Sequence, residues 1–197
     1  MNNSNMVIIV AIVIIALIAL SYPSFVEMGT NVITGKQTQV TVASSANIQN
    51  YFAIAVSSTL SSPGIVWSNI VSLPVTDLNA DGNVPTGSTQ YFTTVSTDSN
   101  VNVAFCINAN QPLTSGVNTI PLTNYEWDSG LVATGLGQPV LPGVAMPQSP
   151  VFGAADTNIA PGSSDYFRFW LTVAGSQAAG LYTNQITFKG VQTGNVC

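Results

Sequence analysis

The chain contains no histidine and only three lysines and arginines in 197 residues. Charged residues make up 6% of it, against about 25% in an ordinary soluble domain. Each shortage excludes a class of function. Without histidine there is no Ser-His-Asp or Cys-His nucleophile and no histidine-ligated zinc. Three cations cannot neutralise a nucleic-acid backbone, so no nucleic-acid partner is expected. No glycine-rich phosphate loop occurs. After residue 35 no stretch keeps a helical period with caps at its ends. Residues 22–197 hold no N-glycosylation sequon; the only one is Asn2-Asn3-Ser4.

What is present is a chain that is 46% hydrophobic, rich in Ser, Thr, Asn and Gly, with net charge −5. That composition suits an extracellular β-protein and is too apolar for a disordered one. The length allows one domain with an appendage. Residues 6–20, MVIIVAIVIIALIAL, form an unbroken apolar run. It falls short of the roughly 20 residues of a spanning helix and matches the length of a secretory h-region. Ala19-Leu20-Ser21 then offers a small-x-small cleavage site, which makes residues 1–21 a signal peptide and Tyr22 the mature start. The segment before the run, MNNSN, lacks the usual basic residue, so a retained anchor and a type IV pilin-like helix are the alternatives. All three place the rest of the chain outside the membrane, at the cell surface or beyond it.

The remainder, residues 40–197, reads as all-β. Candidate strands cover 38–44, 48–58, 64–73, 89–96, 100–108, 119–127, 165–173 and 181–189. Turn signals separate them, among them Ser-Ser-Pro-Gly at 61–64 and Pro-Gly-Ser-Ser at 161–164. Short strands punctuated in this way indicate a β-sandwich or jelly roll. Phe167, Phe169, Leu171 and Val173 share one strand face, and burying them is worth on the order of 6–12 kcal/mol before entropy costs. Tyr166 and Trp170 then face outward and need cover from a loop or another subunit. Residues 138–160 read as a long packed loop. Val101, Val103, Phe105 and Ile107 alternate, which turns Cys106 to the opposite face. A bridge from Cys106 to the terminal Cys197 is expected in an oxidising exterior; free thiols and an intermolecular bridge are the alternatives.

Two constellations could carry chemistry. In DLNADGN, Asp77, Asn79 and Asp81 stand at alternate positions before Gly82 and Asn83, like the first half of a Ca2+ loop. Position 12 is Ser88, so no bidentate glutamate closes it, and an ion-free Asx-rich turn is the alternative. Glu126 and Asp128 flank Trp127 on one strand face. Paired carboxylates can serve a glycosidase, but nothing else in the sequence supports catalysis, and no enzyme is expected.

Residues 22–39, YPSFVEMGTNVITGKQTQ, precede the domain as a long β-prone arm. Such an arm can leave its own domain and complete the sheet of a neighbour, and a head-to-tail contact of this kind builds an open filament. Low charge would help such fibres bundle side by side. An ordinary first strand within its own sheet is the alternative. The opening ANIQNYFAIAVSSTLSSPGIVW and the ending PGSSDYFRFWLTVAGSQAAGLYTNQITFKG resemble those of archaeal bundling-pilus subunits, which are similar in architecture to the biofilm-matrix protein TasA and to camelysin. The resemblance implies a jelly-roll-like sandwich that polymerises with identical subunits by donor-strand complementation, in biofilm or cell adhesion. By position it makes residues 22–35 the donor strand, presenting Tyr22, Phe25, Val26, Met28, Val32 and Ile33. Other readings are a pilin-like subunit with its helix in the filament core, or an anchored calcium- or sugar-binding envelope module.

Overall fold

The computed structural model describes residue 43, residues 45–68 and residues 70–197. The leader at 1–21, the donor positions Tyr22, Phe25, Val26, Met28, Val32 and Ile33, and most of the strand expected at 38–44 lie outside these residues. Among the described residues, no helix is long and apolar enough to cross a membrane.

The described chain is all-β, with every pairing between strands antiparallel. The strands are β1 (Ile54–Val56), β2 (Val75–Asn79), β3 (Tyr91–Val95), β4 (Val103–Ala109), β5 (Leu113–Ser115), β6 (Asn118–Ile120), β7 (Tyr125–Gly130), β8 (Val144–Ala145), β9 (Gly153–Ala154), β10 (Ser164–Val173) and β11 (Ile186–Gln192). One sheet runs β1-β3-β10-β7-β8, with β2 also on β10; the second runs β11-β4-β9; β5 and β6 form a hairpin. One helical turn, α1 (Ser58–Ser61), is capped by Ser57, whose Oγ accepts from Leu60 N at 3.2 Å.

The strands with the cleanest alternation make the core. Tyr91, Thr93 and Val95 of β3 and Phe167, Phe169, Leu171 and Val173 of β10 are buried on the inward face. Val103, Phe105, Ile107 and Ala109 of β4 belong to the same core. Phe167 of the first sheet meets Phe188 of the second edge to face, with centroids 5.2 Å apart. On the outer face of β10, Trp170 and Arg168 are buried too. The guanidinium of Arg168 donates to the carbonyls of Asn83, Gly87 and Pro139 at 3.0–3.2 Å, which draws two loops over that face.

Four segments depart from expectation. Residues 64–73 form no strand: Trp67 Nε1 donates to Leu78 O at 2.9 Å and Val66 O accepts from Asp81 N at 2.8 Å, so the segment is tied to β2 and its turn without joining a ladder. Val75–Asn79 is a strand although Asp and Asn within it are poor strand formers. The last strand starts at Ile186, not near 181. Residues 138–160 contain the two short strands β8 and β9.

Candidate functional site

An apolar groove of about 750 Å³ opens on the described surface. One wall is the inner side of β11 with the segment before it (Tyr182, Ile186, Phe188); the other is Val56, Leu60 and the 63–67 loop; Tyr125 and Leu171 lie on the floor. No Asp, Glu, Lys or Arg lines it. A second depression of about 440 Å³, around Val71, Leu73 and Ala178, shares Ile70, Ile120, Gly180 and Tyr182 with the first. Val71 and Leu181, along this surface, are 93% and 83% exposed. Trp67 stands edge-on to Tyr125 at 5.0 Å between centroids. Tyr125 Oη is buried without a hydrogen-bond partner among the described residues, and burial pushes its pKa well up.

Both walls are strand edges whose outward backbone groups have no partner among the described residues. In an antiparallel pair, opposite residues either exchange both hydrogen bonds or neither. On β4, residues 103, 105 and 109 bond to the 147–159 side: Val103 N to Ile159 O, Phe105 N to Asp156 O and Ala109 N to Pro147 O, at 2.9–3.1 Å. Its residues 104, 106 and 108 therefore turn to Val191, Lys189 and Thr187 of β11. That leaves the N–H and C=O of Ile186, Phe188 and Gly190 pointing away from β4, with no backbone partner among the described residues. The same parity holds on β1. Ser57 N bonds to Phe92 O and Ser96 N to Ala53 O, each at 2.8 Å, so Ile54 and Val56 turn their backbone groups away from β3. An unpaired edge of seven residues is long for a domain that must avoid uncontrolled association. At the other end of β11 the walls close: a Cβ added to Gly190 would lie 3.0 Å from Ile54 Cγ2 and 3.3 Å from Phe52 Cε2.

The other candidate residues are placed as follows. Asp77 and Asp81 have separate partners, whereas Asn79 and Asn83 bond to each other. Asp77 Oδ1 accepts from Thr172 Oγ1 at 3.3 Å, and Asp81 Oδ2 accepts from Ser68 Oγ at 2.6 Å. Asn83, fully buried, donates to Asn79 Oδ1 at 2.9 Å and to Phe169 O at 2.7 Å, and accepts from Phe169 N at 2.9 Å. Among the described residues no group of three or more acidic, Cys or His side chains could hold a metal. Cys106 and Cys197 are joined by a disulfide, their Cα atoms 5.7 Å apart. Glu126 and Asp128 share the outer face of β7, where Asp128 accepts from Val140 N at 2.8 Å. Sequence reasoning assigned no residue to the groove; the apolar segments at 63–67 and 181–188 carried the signal, read there as strands.

The chain matches no protein-family model, and no curated protein matches it.

Proposed function

We propose that this chain is a structural, non-enzymatic subunit of an extracellular filament, a homopolymer held by strand donation. The two sheets then act as an incomplete jelly-roll-like sandwich, and the arm at residues 22–39 of one subunit completes the sheet of the next. The observation that carries this reading is the apolar groove, lined by no charged side chain among the described residues, between two strand edges whose backbone groups have no partner among the described residues. An inserted strand would satisfy the free groups of Ile186, Phe188 and Gly190 and bury apolar side chains along Phe188 and Leu171. The arm suits the site in length and chemistry: of its 18 residues only Glu27 and Lys36 are charged. The resemblance to bundling-pilus subunits points the same way, as do the scarcity of charge, which permits lateral bundling, and the apolar leader, which accounts for export.

Deleting residues 22–35 tests it. The expected product is secreted, melts at a lower temperature and forms no filaments, and a synthetic 22–39 peptide restores its melting temperature. Filaments of ordinary length from the deleted chain would overturn strand donation. Filaments whose subunits keep residues 1–21 would favour a helix packed in the filament core.

A further inference from the structure

Two carboxyl groups meet inside the domain, one from each sheet. Asp165, on β10, is 0% exposed and alternates with Phe167 and Phe169, so it points into the core. It lies directly across from Thr93 of β3. Asp156 approaches from the chain that follows β9, where Phe105 N donates to Asp156 O at 3.1 Å and Ala155 N to Phe105 O at 2.9 Å. The two side chains are within hydrogen-bonding reach of each other. Among the described residues both oxygens of Asp165 and Oδ2 of Asp156 are buried without a hydrogen bond of ordinary geometry, as is Oγ1 of Thr93; the backbone N–H groups of Asp156 and Tyr166 lie near the Asp165 carboxyl.

Among the described residues no cation answers these oxygens. Arg168 is spent on three carbonyls on the outer face. Lys189 of β11 donates to Cys197 O at 3.1 Å and lies over the Phe152 ring. Lys36 is outside the described residues. Of the other titratable groups on packed elements, Asp128 of β7 adds repulsion to Asp156. Tyr91 of β3 accepts from Gly82 N through its hydroxyl, and Cys106 of β4 is in the disulfide. Two bare carboxylates in contact, Asp165 fully buried and Asp156 half-buried, would repel, and that of Asp165 would go unsolvated.

We propose that Asp156 and Asp165 share a single proton at neutral pH, forming an acid–carboxylate hydrogen bond that clasps one sheet to the other and releases when the proton is lost. One proton accounts for the contact between the two carboxyl groups: the protonated acid donates to its partner. The electrostatics agree. Burial first, then the Asp156 carboxylate, pushes Asp165 up to about 9. The unfolded chain loses that proton near pH 4. Between the two values the folded chain holds a proton that the unfolded chain has released, so rising pH favours unfolding by up to tenfold per pH unit. The clasp is complete in acid and is lost as pH rises through about 9. The domain is thus acid-stable and alkali-sensitive.

The test uses the full chain. Infrared spectra at pH 7 should contain a protonated-carboxyl stretch that titrates away near pH 9 and is missing from Asp165→Asn. The wild-type melting temperature should fall from pH 6 to pH 9, and that of Asp165→Asn should stay level over the same range. Absence of the stretch at pH 7 overturns the proposal, and so does a melting temperature that ignores pH. If Asp165→Asn does not fold, the wild-type infrared titration alone decides. Added CaCl2 that raises the wild-type melting temperature and abolishes the stretch would make the pair a cation site instead, which also overturns it.

Discussion

Asn83 sits where two strands fail to meet. β10 pairs with β3 over residues 164–167 and with β2 over residues 170–173, which leaves Phe169 between them without a strand neighbour on that edge. The Asn83 amide fills the gap, presenting one acceptor and one donor as a peptide group would. Asn83→Ala orphans the N–H of Phe169 and weakens the satisfaction of its carbonyl, which Ala80 N also serves at 3.0 Å. At about 1–3 kcal/mol for each unsatisfied buried group, the loss should be roughly 2–4 kcal/mol by denaturant melts. Asn83→Asp keeps the acceptor but loses the donor, and should also destabilise. Gly82→Ala should cost on the order of 1–3 kcal/mol, because the new Cβ would lie 2.6 Å from the Tyr91 ring. In the sequence these residues resemble an ion loop. The Phe169 partner of Asn83 lies 86 positions away, and local spacing has no access to that.

At the scale of elements, β11 has two kinds of N–H. Those of 187, 189 and 191 serve the ladder with β4; those of 186, 188 and 190 face the open edge. Proline separates them, since it is tolerated where the lost N–H points away from the ladder. Ile186→Pro should melt within about 1 kcal/mol of the side-chain control Ile186→Ala yet assemble poorly. Thr187→Pro should lose at least the ~1 kcal/mol of a ladder hydrogen bond and destabilise the domain itself. Equal assembly by Ile186→Pro and Ile186→Ala, read by sedimentation, would argue against use of this edge. The elements most legible in the sequence were those that alternate large apolar residues, β4 and β10. That pattern is set by the face each turns to the core and needs no knowledge of neighbours. β2 escaped notice because its pairing with β10 overrides the poor propensity of Asp77 and Asn79. The segment at 64–73 has the composition of a strand, but its backbone and its Trp67 indole are committed to β2 and the following turn. The groove was illegible for a related reason: it lies between two strand edges far apart in the chain, and in the sequence its walls read as ordinary strands.

Across the whole molecule, the Cys106–Cys197 bridge ties the C-terminus beneath β4 across a sequence separation of 91. In the chain-entropy model a loop of that size is worth about 4–5 kcal/mol, so reduction should lower the denaturant midpoint by a corresponding amount. If the strand-donation reading holds, reduced filaments should survive better than the reduced, arm-deleted chain, because the donated strand adds stability that the bridge does not. The measurement that bears most directly on that reading is residue-resolved amide exchange of the full chain in filaments and of the 22–35 deletion. The account predicts that the amides of Ile186, Phe188 and Gly190 are protected in filaments and exchange freely in the deleted chain, while those of Thr187, Lys189 and Val191 are protected in both. Filaments in which the Ile186, Phe188 and Gly190 amides exchange as fast as in the deleted chain would contradict it.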